Sequence, residues 1–304
     1  MTDGADRVRA GSTDRDSASP TLSVVIPTRQ PWTRFSDLFA PLIEELRDVG
    51  GELVVLAGPG AEIDDGTLRV MTTSDQNLLS LRARAVCAAR GPVVAVAEDH
   101  AVPVPGWSHA VLRAHREHPT AAGIVGCLLN AAGDTVAGRA NFLAFAGPYS
   151  PPMPAVPSWR PPPLSTLSFK RDVLGGLDDR PGGLEHELVP RLFRDGRLAA
   201  DDRVRVMHHQ PCSGVWAVRN SYWATRAAYG YAEDRHDAHR RREIISWVVT
   251  HMPQMVWREA HAAHRPVRGQ YGELAIVASY AAAGAVGAVV GTLAGPGAAP
   301  CRTE

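Results

Sequence analysis

Short runs of β-branched and aliphatic residues alternate with helix-period stretches through the first half of the chain. Residues 22–26 predict a buried strand stopped by Pro27. Residues 35–49 set Leu38, Leu42, Ile43 and Leu46 on one face and predict an amphipathic helix. Apolar runs at 52–56, 68–71, 93–97 and 124–129 predict further strands. Residues 78–89 and 107–118 predict further helices. Continuous apolar strands separated by helices predict an α/β fold with a mostly parallel sheet flanked by helices.

The pattern changes in the middle. Residues 147–163 hold eight prolines, which is loop or sheet-edge chemistry. A strand-like piece at 164–169, a helix at 184–195 and a strand at 204–207 follow. Residues 213–264 look helical and are rich in Arg and His, and 274–293 is a run of twenty residues without a charge. Residues 1–20 are polar, without an apolar leader, and predict a flexible tail. The expected division is a tail over 1–20, one α/β domain over 21–212, and a helical C-terminal region over 213–304.

Composition narrows the function classes. With 304 residues, 45% hydrophobic, the chain can bury a sizeable core. Lys and Arg number 32, as do Asp and Glu, so no basic footprint for nucleic acid is expected. Cys87, Cys127, Cys212 and Cys301 are widely spaced, which fits a reducing compartment and neither a zinc knuckle nor a disulfide framework.

The segment richest in chemistry is Val93-Val94-Ala95-Val96-Ala97-Glu98-Asp99-His100. A buried strand here runs into two carboxylates and an imidazole, at the strand end where open α/β sheets bind ligands. Groups this close repel unless something positive bridges them, and a divalent cation does so. Carboxylates suit Mg²⁺ or Mn²⁺, and the imidazole tilts the choice toward Mn²⁺. The alternative is a solvated turn with a helix cap.

Followed by Pro103-Val104-Pro105-Gly106-Trp107, this segment resembles the Asp-x-Asp region of family-2 glycosyltransferases with the GT-A fold. His100 stands where that family has its metal-holding acidic residue. Five further stretches are similar in the family's order. Ser23 to Arg29 resembles the opening strand, which implies nucleotide contact at Pro27, Thr28 and Arg29. Arg82 to Gly91 resembles the Arg-Asn-x-Gly helix, which implies a diphosphate contact at Arg82, with Ala83 and Ala85 replacing Asn and Gly. Leu174 to Asp179 and Leu184 to Leu192 resemble the Gly-Gly-Phe-Asp-Glu and Glu-Asp-x-Glu-Leu segments, which puts Glu185 on the catalytic base. Val204 to His209 resembles a strand ending in a metal-binding His, with His208 favoured over His209.

The resemblance spans about residues 21–210. It implies metal-dependent, inverting transfer of a sugar from a nucleotide-sugar donor to a carbohydrate, lipid-linked or other small acceptor. Glu98 and Asp99 would contact the donor, and Asp99, His100 and His208 would hold Mn²⁺ or Mg²⁺. One departure is substantial: Leu56-Ala57-Gly58-Pro59-Gly60 stands where the family often has Asp-Asp-Gly-Ser. A nucleotide-binding but inactive scaffold therefore competes. A sugar nucleotidyltransferase ranks last, because Thr28-Arg29-Gln30-Pro31-Trp32 offers no glycine-rich phosphate loop.

Residues 274–293 are long enough to cross a bilayer, and Gly287, Gly291 and Gly295 have small-xxx-small spacing. Arg258, Arg265 and Arg268 before the run would keep the preceding domain cytoplasmic. The alternative is an Ala/Gly-rich helix packed on the protein itself. Arg235 to Arg268 reads as a solvated surface, and His236-x-x-His239 is a zinc half-site without visible partners.

Overall fold

The computed structural model of the chain describes residues 19–131, 135–156, 161–177, 181–209, 213–231, 242 and 271–302. The stretch containing His236, His239 and most of 235–268 lies outside the described residues, as do Asp178, Asp179 and Cys212.

Among the described residues, nine strands form one sheet. They are β1 (Ser23–Pro27), β2 (Glu52–Ala57), β3 (Ile63–Asp64), β4 (Leu68–Thr72), β5 (Val93–Val96), β6 (Ala101–Pro103), β7 (Gly123–Asn130), β8 (Leu167–Lys170) and β9 (Leu198–His208). Their order is β3-β4-β2-β1-β5-β8-β7-β9-β6. The α/β expectation holds, with a mixed sheet in place of a mostly parallel one. Strands β4, β2, β1 and β5 run parallel, and so do β7 and β9. Strand β8 is antiparallel to both β5 and β7, and the short β3 and β6 pair antiparallel at the two edges.

Helices cover both faces because consecutive strand residues point to opposite sides. Val24 and Ile26 join the layer of α1 (Ser36–Val49) and α3 (Trp107–Glu117), with Phe39, Leu46, Trp107 and Val111. Val25 and Val96 join the opposite layer, with Leu81 and Ala85 of α2 (Leu78–Ala88) and the distant Tyr149, Leu184 and Leu192. In α1 the buried set is Phe39, Leu42, Ile43 and Leu46, while Leu38 is exposed. The inner stripe therefore starts one residue later than its aliphatic content suggests. Asn77 caps α2, its side chain accepting from the backbone N–H groups of Leu79 and Ser80.

At the far edge of β1 and β2 from the ligand side, the buried Glu52 carboxylate gathers four groups. It accepts from Ser23 Oγ at 2.7 Å, the Arg90 backbone at 2.8 Å and the Arg90 Nε at 2.9 Å, and pairs with Arg69 at 3.2 Å. Burial pushes its carboxyl up; the hydrogen bonds from Ser23 and Arg90 outweigh that and hold it below the usual range.

Three predicted elements change form. The strand-like piece at 164–169 begins as a 3₁₀ turn, Leu164–Thr166, before β8. The helix predicted from 184 opens as a π-helical turn, Gly183–Leu188, and becomes α-helical only in α5 (Val189–Arg194). The strand predicted at 204–207 is the end of the much longer β9. Helix α4 (Val136–Ala146) was not expected from the sequence pattern.

The C-terminal region contains α6 (Gly214–Gly230) and α7 (Tyr271–Ala294), which pack together. A Cβ at Gly287 would strike the Tyr222 carbonyl oxygen, and one at Gly291 the Arg226 carbonyl oxygen. The small residues thus let α7 lie backbone to backbone on α6. Ser221 Oγ also donates to the Tyr280 carbonyl at 2.8 Å. By length and composition, Ala275–Ala294 is apolar enough to cross a membrane.

Candidate functional site

Three strand ends converge on one point. Strand β1 ends in Thr28, whose backbone N–H donates to Leu56 at 2.9 Å. Strand β5 ends in the turn Glu98–Ala101, closed by Ala101 N–H donating to the Glu98 carbonyl at 2.9 Å. Strand β6 then pairs with β9 so that Ala101 faces His208. The His209 N–H donates to the His100 carbonyl at 2.8 Å. Two residues separated by more than a hundred positions are thereby locked beside each other by backbone pairing.

This turn aims three ligand atoms inward. Glu98, His100 and His208 each offer one, all within 4.8 Å of one another. The Glu98 Oε2 stands 3.7 Å from His100 Nε2 and 3.8 Å from His208 Nε2. The two imidazole rings meet edge to face at 4.9 Å. Asp99 sits outside this group. Its Oδ1 is 2.8 Å from His100 Nδ1, and its Oδ2 accepts from the Thr28 hydroxyl. Asp99 therefore acts on His100, fixing the orientation of its ring with Nε2 toward Glu98.

A carboxylate fixing the far nitrogen of an imidazole is the usual support of a metal-ligating histidine, and the donor set suits a divalent ion. Glu98, His100 and His208 thus fit a cation such as Mn²⁺, with Asp99 in support. The sequence puts Asp99 with the two histidines and both Glu98 and Asp99 at the donor; the geometry sets Glu98 among the histidines and Asp99 behind His100. Burial pushes the Glu98 carboxyl up, but His208, His100 and Arg82 outweigh it and hold it well below the usual carboxylate range. For Asp99, burial is likewise outweighed, chiefly by His100, and its carboxyl is held low.

Arg82, from α2, spans two carboxylates. One terminal nitrogen is 2.9 Å from Glu98 Oε1 and the other 3.3 Å from Glu185 Oε1. Glu185 rises from the π-helical turn, where an inserted residue re-aims side chains relative to a regular helix. Its Oε2 is buried and makes no hydrogen bond. Burial pushes its carboxyl above the ordinary value, only partly offset by Arg82. The neighbouring His186 is buried against Tyr231, and burial lowers its imidazole to about 4.

Two cavities meet at the Arg82–Glu98–His100 wall. One, of about 220 Å³, is lined by Pro27, Thr28, Arg29, Gln30, Arg82, Asp99 and His209 among others. The second, of about 300 Å³, is lined by Glu185, His208, Leu128, Pro161 to Pro163, Trp216 and Asn220 among others. The structure thus brings together nine of the residues singled out from the sequence: Pro27, Thr28, Arg29, Arg82, Glu98, Asp99, His100, Glu185 and His208.

Neither a family model nor a curated protein sequence matches the chain. Solved structures do. A mannosyltransferase from Pyrobaculum calidifontis, in complex with GDP-Man and Mn²⁺, is 16% identical over 90% of each chain, with a TM-score of 0.48. TarS 1–349 from S. aureus is 13% identical over 87% of this chain and 90% of its own, with a TM-score of 0.46. A mycobacterial protein is 18% identical over 70% of this chain and 74% of its own, with a TM-score of 0.45. Identities and scores this low assign no activity; the chain's own geometry has to carry one.

Several lining residues escaped the sequence reading. Gln30 and Leu78 complete the first cavity, and Trp216 and Asn220 the second. Arg29 also donates to the Cys301 carbonyl at 2.6 Å, which brings the last described turn to the rim. No local pattern signals these positions. The Trp216–Asn220 spacing marks a helix face but not what the face adjoins.

Proposed function

We propose that this chain is a GT-A-type glycosyltransferase that moves a sugar from a nucleotide-sugar donor to an acceptor hydroxyl, with inversion at the transferred carbon. One observation carries the reading. Two cavities share a wall of Arg82, Glu98 and His100, with cation-competent ligands at that wall and a buried carboxylate facing the second cavity alone.

In this reading the donor occupies the cavity beside Thr28 and Arg29, and the acceptor the one beside Glu185. A Mn²⁺ or Mg²⁺ ion on Glu98, His100 and His208 would neutralise charge on the leaving diphosphate. Asp99 holds His100 in the orientation this requires. Arg82, its terminal nitrogens bridging Glu98 and Glu185, offers its remaining N–H donors to the same diphosphate. Glu185 accepts the proton of the acceptor hydroxyl as its oxygen bonds to the sugar carbon. The bond from that carbon to the diphosphate oxygen breaks, and its electron pair leaves with the phosphate. A carboxyl raised by burial is a stronger base than an exposed one, which suits the task.

Sugar nucleotides are cytoplasmic, so the proposal puts the catalytic region there, with α7 as a candidate membrane contact. The competing reading, a nucleotide-binding chain without transfer activity, draws on the end of β2. Gly58 there donates to the Gln30 carbonyl at 3.0 Å, and Gly58-Pro59-Gly60 stands directly after Ala57 where an acidic pair would grip a ribose.

Glu185→Gln separates the two. The transferase reading expects the variant to bind the donor nucleotide as the parent chain does while sugar transfer falls by about a hundredfold or more. Undiminished transfer removes Glu185 from the mechanism. A parent chain that binds nucleotide but releases none from any sugar donor, with Mn²⁺ and cell-extract acceptors present, favours the inactive scaffold.

A further inference from the structure

The second cavity does not end at Glu185. It shares Trp216 and Asn220 with a third cavity of about 300 Å³, lined by Ser213, Val215, Trp216, Arg219, Asn220, Trp223 and Arg302. Trp216, Arg219, Asn220 and Trp223 fall at i, i+3, i+4 and i+7, so one face of α6 presents them all. Arg302, from beyond the last turn of the chain, lies over the Trp223 ring at 4.9 Å from its centroid. Arg226 approaches the same ring at 5.6 Å.

The composition of this wall is selective. Among the described residues it holds two guanidinium groups and two indoles, and no acidic side chain. Neither Arg219 nor Arg302 pairs with a carboxylate among the described residues. Arginine forks match the oxygens of phosphate or carboxylate, and indole faces pack the apolar C–H side of a sugar ring. The donor diphosphate, in the reading above, belongs to the opposite cavity beyond Glu98 and His100. An anion bound on this side would belong to the other substrate.

We propose that the cavity between α6 and Arg302 is an acceptor subsite for a saccharide bearing an anionic group, the ring packing on Trp216 and the anion held by Arg219 and Arg302. This rests on the transferase reading for its role, though not for its chemistry. The anion is a phosphate or carboxylate, borne either by a soluble sugar or by a lipid headgroup.

The full chain is titrated with glucose 6-phosphate, glucose and inorganic phosphate, followed by tryptophan fluorescence. It is also mixed with phosphatidylcholine vesicles with and without phosphatidylglycerol, followed by co-sedimentation. Glucose 6-phosphate is expected to bind more tightly than glucose, and more weakly as salt rises. Preference for anionic vesicles over the sugar phosphate identifies a lipid source, and the reverse a soluble one. Arg219→Ala with Arg302→Ala is expected to weaken the preferred probe roughly tenfold and to leave UDP and GDP binding unchanged. Arg219→Gln alone, with an unchanged melting temperature, controls for folding and should give an intermediate loss. Equal binding of glucose and glucose 6-phosphate, no binding of any anionic probe, or full binding by the double variant each overturns the proposal. If the parent chain binds neither nucleotide but its anion binding still depends on Arg219, the transferase reading falls and the anion site survives.

Discussion

Arg82 is the residue whose loss says most about the site. Among the described residues it is the sole ionic partner of Glu185, while Glu98 keeps His100 and His208 as well. Arg82→Ala therefore isolates Glu185, whose second oxygen already lacks a hydrogen bond. The buried carboxylate has two outcomes, to stay charged without a partner or to take up a proton. Protonation caps the penalty. From an ordinary value of 4.5 to pH 7, it costs at most about 3 kcal/mol, and at pH 5 about 1 kcal/mol or less. The sign follows from proton counting. In the variant, Glu185 binds its proton more tightly folded than unfolded, so stability falls as pH rises above the ordinary value. Urea unfolding of parent and variant, followed by circular dichroism at pH 5 and pH 7, measures both gaps. The variant should lose up to about 3 kcal/mol at pH 7, less the cost the raised carboxyl already carries in the parent chain, and far less at pH 5, and Glu185→Gln in the same chain should restore most of the difference. A loss that is equal at both pH values, or that Glu185→Gln leaves untouched, refutes the account of Glu185 as a desolvated carboxylate held by Arg82.

Two other expectations follow from the same geometry. Asp99→Asn keeps the shape but loses the charge behind His100, so Mn²⁺ affinity by calorimetry should fall about 10- to 100-fold with the fold intact by circular dichroism; unchanged affinity would mean that Asp99 does not support the imidazole. Glu52, whose carboxyl is held low, stabilises the fold above its ordinary value of 4.5 and stops doing so as pH falls below it. Glu52→Gln should cost about 2 kcal/mol at pH 7 and flatten the acid limb of the stability–pH curve, and an unchanged acid limb would count against it.

The local pattern of the chain determined its strands and most of its helices. Runs such as 22–26, 52–56 and 93–97 are apolar at every position because both faces of the sheet are covered, and that alone marks them as interior α/β strands. The same runs say nothing about direction. Strand β8 enters antiparallel between β5 and β7, a long-range pairing that no short window records. Candidate chemistry was legible wherever polar groups interrupt such a run, as at Glu98, Asp99 and His100. Their division of labour was not. Whether Glu98 or Asp99 faces His208 depends on which way each side chain leaves a tight turn, and the pairing of Ala101 with His208 decides it. Glu185 was found from its neighbours in sequence, but its aim into the cavity comes from a π-helical turn that reads as ordinary helix in the residues themselves. The small-residue spacing in 274–293 permitted either lipid or protein as the packing partner. Close approach of backbones needs only glycine, whatever lies opposite, and it was the carbonyls of Tyr222 and Arg226 that tertiary structure set there.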